Sequence, residues 1–257
     1  MWRAVMWLLA GFASAALTAL AFFPATWMAP IVEMQTAGRL TLGDAQGTLW
    51  RGSAFIGGAP GGSDPVTPLL PGRFSWRLSP MLLLGQVDAE LENTAALSQP
   101  VSVAGSWHQW QISPAAILLS AERLAALGAP FNTVQPSGQM RLSWGPLQLV
   151  RQGGKIEMVG SMNLEINDFA SRLSPIMPLG AYNLALDWRG QQASATLKTV
   201  KGPMLLSGSG TFAGGHLQFS GKAEIEAGQE ERLANLLSLL GQRRREGDKD
   251  IIALEFK

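Results

Sequence analysis

The stretch GKIEMVGSMNLEIND (residues 154–168) decides the fold class, because Ile156, Met158, Met162, Leu164 and Ile166 fall on alternate positions with Glu157, Ser161, Asn163, Glu165 and Asn167 between them. Successive side chains of a strand point to opposite faces, so this period of two puts an apolar row on one side and a polar row on the other. A helix over the same residues would scatter both sets around its circumference.

The pattern recurs in both directions along the chain. In GRFSWRLSP (residues 72–80), Phe74, Trp76 and Leu78 alternate with Arg73, Ser75 and Arg77, and in GQMRLSWGP (138–146), Met140, Leu142 and Trp144 alternate with Arg141 and Ser143. AYNLALDW (181–188) and HLQFSGKAEIEA (216–227) repeat it with Tyr182, Leu184, Leu186, Trp188, Leu217, Phe219, Ala223 and Ile225. Intervals of a few residues cannot hold crossover helices, so the sheet is predicted to be mostly antiparallel. The 29 glycines and 15 prolines supply the turns.

Two stretches follow helical spacing instead. PAAILLSAERLAAL (114–127) is expected to be a helix capped by Ser113, with Pro114 in its first turn and Gly128 closing it. QEERLANLLSLLGQRRR (229–245) is expected to be a second helix, with Leu233, Leu236, Leu237 and Leu240 as its stripe, Glu230 and Glu231 near the start and Arg243 to Arg245 near the end. A last strand is expected over 250–257. The glycine- and proline-rich run at 57–72 reads as a loop, and a weaker break at 129–138 divides the β region into halves at 40–127 and 138–257.

Ahead of all this lies AVMWLLAGFASAALTALAFF (residues 4–23), which contains no charged side chain. At 1.5 Å of rise per residue a run of this length matches the roughly 30 Å hydrocarbon core of a bilayer. Ala4, Leu8, Leu9, Phe12, Leu17, Leu20, Phe22 and Phe23 would face lipid, and Ser14 and Thr18 can bond carbonyls one turn back. Trp2 and Trp27 fall at the two boundaries, and Pro24 ends the helix. Arg3 precedes the run and the first charge after it is Glu33, so the positive-inside bias places residues 1–3 in the cytoplasm, 4–23 across the membrane, and 24–39 as a juxtamembrane segment on the far side. The alternative is a cleaved signal peptide, for which Ala13-Ser14-Ala15 fits the small-residue pattern, although cleavage there would leave residues 16–23 as an apolar tail.

Chemistry is sparse by comparison. A net charge of +1 with scattered basic residues gives no footprint for nucleic acid. With no cysteine, thiol catalysis, thiolate metal sites and disulfides are excluded. His108 and His216, the only imidazoles, sit in unlike contexts with no metal-ligand spacing around them. Glu224 with Glu226, Asp88 with Glu90 and Glu92, and Glu157 with Glu165 have the spacing of a solvated strand face. Neither a catalyst nor a cofactor is expected. Of the nine tryptophans, Trp76, Trp144 and Trp188 are candidates for an interface or apolar groove.

GTLWRGSA (47–54), FSWRLSPMLLLG (74–85), LGAYNL (179–184), GPMLLSGSGTFAGGHLQFSGKAEIEA (202–227) and LANLLSLLGQRRREGD (233–248), in this order behind an apolar anchor, resemble the type II secretion system protein N family. Gly47, Thr48, Leu49, Trp50, Arg51 and Gly52 carry the signature. The resemblance implies an accessory bitopic inner-membrane component that works beside other secretion subunits in bacterial protein export, with its β domain in the periplasm. The family also looks like a relative of AsmA-type periplasmic proteins, whose curved open sheets have a greasy inner face. That kinship implies lipid, or another hydrophobic molecule, as an alternative partner.

Overall fold

A computed structural model describes residues 2–36, 38, 40–58, 67–127, 131–214, 216–226, 228, 242–246 and 249–256. Helix α1 spans Trp2–Ala21, a single 3-10 turn follows at Ala25–Trp27, and α2 spans Met28–Gln35. Among the described residues no helix is long and apolar enough to cross a membrane. Everything else is dominated by one open antiparallel sheet of seventeen strands among the described residues.

The first strands form a meander. β1 (Leu40–Gly47) pairs with β2 (Arg51–Gly58), which also holds the two-residue β3 (Thr67–Pro68) and β4 (Phe74–Leu78). From β4 the sheet runs through β5 (Gln86–Glu92) and β6 (Val101–Ser106) to β7 (Gln109–Ile112). β8 (Ala115–Ser120) leaves this order and pairs with β9 (Pro136–Trp144), and β7 pairs with β10 (Leu147–Gln152). β9 and β10 lie end to end along one edge of β11 (Lys155–Ser171), the seventeen-residue strand that contains the opening sequence. The segments 40–127 and 138–257 therefore share one sheet.

Beyond β11 come β12 (Gly180–Gly190), β13 (Gln192–Lys201), β14 (Met204–Ala213) and β15 (His216–Ile225). The last is followed in space by β17 (Lys249–Phe256), with β16 (Gln242–Glu246) outermost. In β11, β12 and β13 the register carries the apolar face of one strand onto the next. Leu164, Leu184 and Leu197 are successive cross-strand partners, as are Met162, Leu186 and Ala195. Paired residues share a face, so the period of two in each of these strands becomes one apolar surface across the three.

Burial concentrates in three clusters, the smallest of them Ala223 with Ile252 between β15 and β17. Phe74, Ala96, Leu97, Val101 and Ala115 form one cluster, with Trp144 against it. Leu179, Tyr182 and Met204 form another, where the Tyr182 hydroxyl donates to the carbonyls of Met204 at 3.0 Å and Leu179 at 3.3 Å. Burial holds the Tyr182 phenol well above its ordinary pKa, so the neutral donor persists.

One helix expectation is corrected, and so is the end of a second. Residues 115–120 are strand β8 and Ala121–Leu127 is a 3-10 turn. The apolar run Ala115 to Leu119 lies between two chain neighbours: Ile117 opposes Leu142 on β9, while Ser98 N donates to Ala116 O and Leu118 N to Ala96 O on the other side. The run lacks polar alternation because its outward position is itself apolar, with Leu118 50% exposed while Ala115 and Ala116 are buried, and this removes the feature that separates strand from helix in a sequence. The expected cap is not one either, since Ser113 Oγ accepts from Ser102 N. Near the carboxyl end, residues 229–241 lie outside the described residues, but Gln242 to Arg245 belong to β16, with Arg243 opposite Ile252 and Arg244 opposite Ile251. The arginine run is a strand, not a helix end. The strand expected over 250–257 is β17.

Candidate functional site

The signature GTLWRG is the hairpin between β1 and β2. Gly47 faces Gly52 across the ladder, Thr48 N donates to Arg51 O at 2.8 Å, and Thr48 to Trp50 make the turn. Gly47 has φ +85, and a Cβ there would lie 2.4 Å from Arg51 O, so the position excludes side chains on both conformational and steric grounds. At Gly52 the obstacle is a neighbour. A Cβ would meet the Trp76 ring at 2.4 Å and Thr48 O at 2.8 Å, because the Trp76 ring packs against this glycine and donates its indole N–H to Leu49 O at 3.0 Å.

This hairpin grips the end of α1. Trp50 Nε1 donates to Leu20 O at 2.8 Å, Leu49 N donates to Phe23 O at 2.8 Å, and Pro24 bridges Thr48 as an isolated β pair. The last carbonyls of any helix lack intrahelical donors. Here the Leu20 carbonyl gains the indole, in addition to a long 3.4 Å contact from Phe23 N. Leu78 N then donates to Trp50 O at 2.7 Å, so β4 is tied into the same joint. Trp50 is 9% exposed and Ala25 fully buried, whereas the helix they hold is bare: Leu8 is 74% exposed and Phe12 76%.

Charges brace the hairpin on the polar face. Arg73 pairs with Asp44, donates to Ser53 O at 3.2 Å and lies 4.5 Å over the Phe55 ring. The Asp44 carboxyl is held below its usual range, chiefly by the Gln46 side-chain amide and further by Arg73. Arg77 pairs with Glu90. An open cleft of about 680 Å³ lies between the helix end and these strands, lined on one wall by Ala21 and Phe22 and on the other by Arg51, Arg77, Asp88 and Glu90.

The other residues singled out from sequence scatter. Trp144 donates to Ser113 O at 2.9 Å and packs on the first core cluster. Trp188 lies edge-on to Phe212 at 5.6 Å, with its indole nitrogen buried and unpaired. It lines an apolar groove of about 420 Å³ with Leu184, Leu186, Leu197, Phe212 and Phe219. His108 falls in the β6–β7 turn and His216 opens strand β15, so the two are apart in the chain's elements, and Glu224 pairs with Lys222 at 2.7 Å. Among the described residues no three His, Asp or Glu side chains gather as a metal set. Sequence reasoning marked Leu20, Phe22 and Phe23 only as lipid-facing and Trp50 only as signature. The structure brings them together through backbone carbonyls, a contact that leaves no mark on side-chain identity. It also exposes an apolar turn, Pro80–Leu84, beside the joint, whose only sequence signal was the run of three leucines before Gly85.

No curated protein and no solved structure matches the chain. A family model described as "Type II secretion system (T2SS), protein N" matches residues 38–251, from just before β1 into β17, and includes the whole of the signature hairpin. A match over so much of the 257 residues establishes that the chain belongs to the type II secretion system protein N family.

Proposed function

We propose that this protein is an accessory, non-catalytic, single-pass subunit of the type II secretion system, anchored in the bacterial inner membrane by residues 4–23, with residues 1–3 cytoplasmic and the sheet in the periplasm. The joint at Trp50 is the observation that carries this reading. The described helix falls short of a membrane-crossing element, but the apolar run continues past its end at Ala21 through Phe22 and Phe23. Helix α1 buries none of its large side chains on the sheet, and a helix so apolar and so bare is costly in water. A domain that fastens itself to the last turn of that helix uses it as a mount.

The sheet offers partners an edge. Among the described residues no strand pairs with the outer side of β16, and strand addition there is the expected mode of contact with other secretion subunits. Chemical crosslinking in native membranes should recover secretion-system subunits, and deletion should impair export. Recovery of none, with export intact in the deletion strain, would contradict the reading.

One observation favours a second reading, that of a binder of lipid or another hydrophobic molecule: the groove beside Trp188 is lined by apolar side chains alone. Native mass spectrometry of the purified protein should then find bound lipid, and Leu186→Arg should abolish it. A ligand-free protein would dismiss this reading without touching the first.

A further inference from the structure

The joint leaves one feature unexplained. Two strands from Trp50, at the same rim of the sheet, the chain makes a single 3-10 turn, Pro80–Leu84, of sequence PMLLL. It is firmly built. Ser79 caps it by accepting from Met81 N at 3.3 Å, Pro80 occupies its first turn, and Gly85 closes it in the left-handed conformation at φ +92. The neighbouring β6–β7 turn reinforces it, since Trp107 N donates to Gly85 O at 3.1 Å and the Trp107 indole donates to Leu82 O at 2.6 Å. This construction turns the apolar side chains outward. Leu84 is 76% exposed, and Met81, Leu83 and Trp107 are each about half exposed.

Position identifies what covers them. Ser79 and Pro80 line the same cleft at the joint as Ala21 and Phe22, and Leu78 N donates to Trp50 O, which is itself one side chain from the Leu20 carbonyl. If Leu20 to Phe23 lie where the helix leaves the bilayer, a rim held this close to them lies at the same depth. The exposed groups suit that layer: unbranched and branched aliphatics at the tip, and beside them an indole whose polar N–H is already satisfied. Arg51 and Arg77 line the same cleft, with Arg77 paired to Glu90.

We propose that the Pro80–Leu84 turn, with the Trp107 ring, is a second membrane contact that enters the interfacial layer of the leaflet from which α1 emerges. This rests on the anchor reading above. The sheet is then held at two points, which fixes its tilt as well as its attachment.

Because the chain contains no cysteine, single labels can be placed cleanly. The full chain, reconstituted in phosphatidylethanolamine/phosphatidylglycerol vesicles, is spin-labelled at Leu84→Cys, at Leu9→Cys in the helix and at Ser209→Cys on the exposed polar face of β14. Collisions with oxygen, which partitions into lipid, are compared with collisions with a water-soluble nickel chelate. The proposal expects the Leu84→Cys label to favour oxygen, as the Leu9→Cys label does, with Ser209→Cys favouring nickel. A nickel-accessible label at 84 with a lipid-embedded label at 9 overturns the second contact and leaves the anchor standing. A nickel-accessible label at 9 overturns both. A label at 84 shielded from both reagents means that a second copy of the chain covers the turn, and this also overturns the proposal.

Discussion

Trp50→Ala is expected to destabilise the joint by about 3 kcal/mol and to uncouple the sheet from α1. The change removes a large, 91% buried indole and leaves the Leu20 carbonyl without its indole donor. Trp50→Phe separates these two losses. It keeps most of the ring and removes the N–H, so it should cost only about 1 kcal/mol. Gly52→Val tests the same joint from the other side. A Cβ 2.4 Å from the Trp76 ring must push that ring off the hairpin and break its bond to Leu49 O, at a cost of roughly 3 kcal/mol. Urea unfolding of the full chain in micelles reads the stabilities, and limited proteolysis within residues 22–36 reads the uncoupling. Equal resistance in the wild-type protein and Trp50→Ala would show that the hairpin does not hold the helix.

The second large effect is expected at the other end of the sheet. Leu179 is completely buried between Tyr182 and Met204, and Leu179→Ala should cost about 3 kcal/mol, through lost transfer energy and the cavity left behind. Its backbone contributes separately: Leu179 N donates to Phe169 O at 2.7 Å, Met204 N donates to Leu179 O at 3.0 Å, and alanine keeps both bonds. The loss should therefore appear as a lower denaturation midpoint with an unchanged slope. An unaltered midpoint would mean that this cluster does not bear on stability.

The strands were legible from sequence where one face is wet. At Phe74 to Leu78, Met140 to Trp144 and Tyr182 to Trp188, alternation reports a surface apolar on one side and polar on the other, and β4, β9 and β12 follow. Where an outward position is itself apolar, as at the half-exposed Leu118 within Ala115 to Leu119, alternation disappears and helical spacing arises by coincidence. Gln242 to Arg245 were misread for another reason. Their strand is made by pairing with β17, a tertiary contact that outweighs local charge placement.

The candidate site was half legible. GTLWRG stood out through its glycines and tryptophan, and the glycines have local causes in Gly47's positive φ and the Trp76 ring over Gly52. The purpose of the hairpin was hidden, because its partners are the carbonyl oxygens of Leu20 and Phe23, groups that every residue carries. The leucines of the Pro80–Leu84 turn were visible as letters, but their direction depends on Ser79, Gly85 and Trp107 acting together in three dimensions.

Amino-terminal sequencing of the protein recovered from purified inner membranes bears most directly on the claim that α1 is a permanent mount. The account predicts a chain that still begins at Met1 or Trp2 and stays with the bilayer through alkaline carbonate extraction. A mature protein beginning at Ala16 and released into the periplasmic fraction would contradict it.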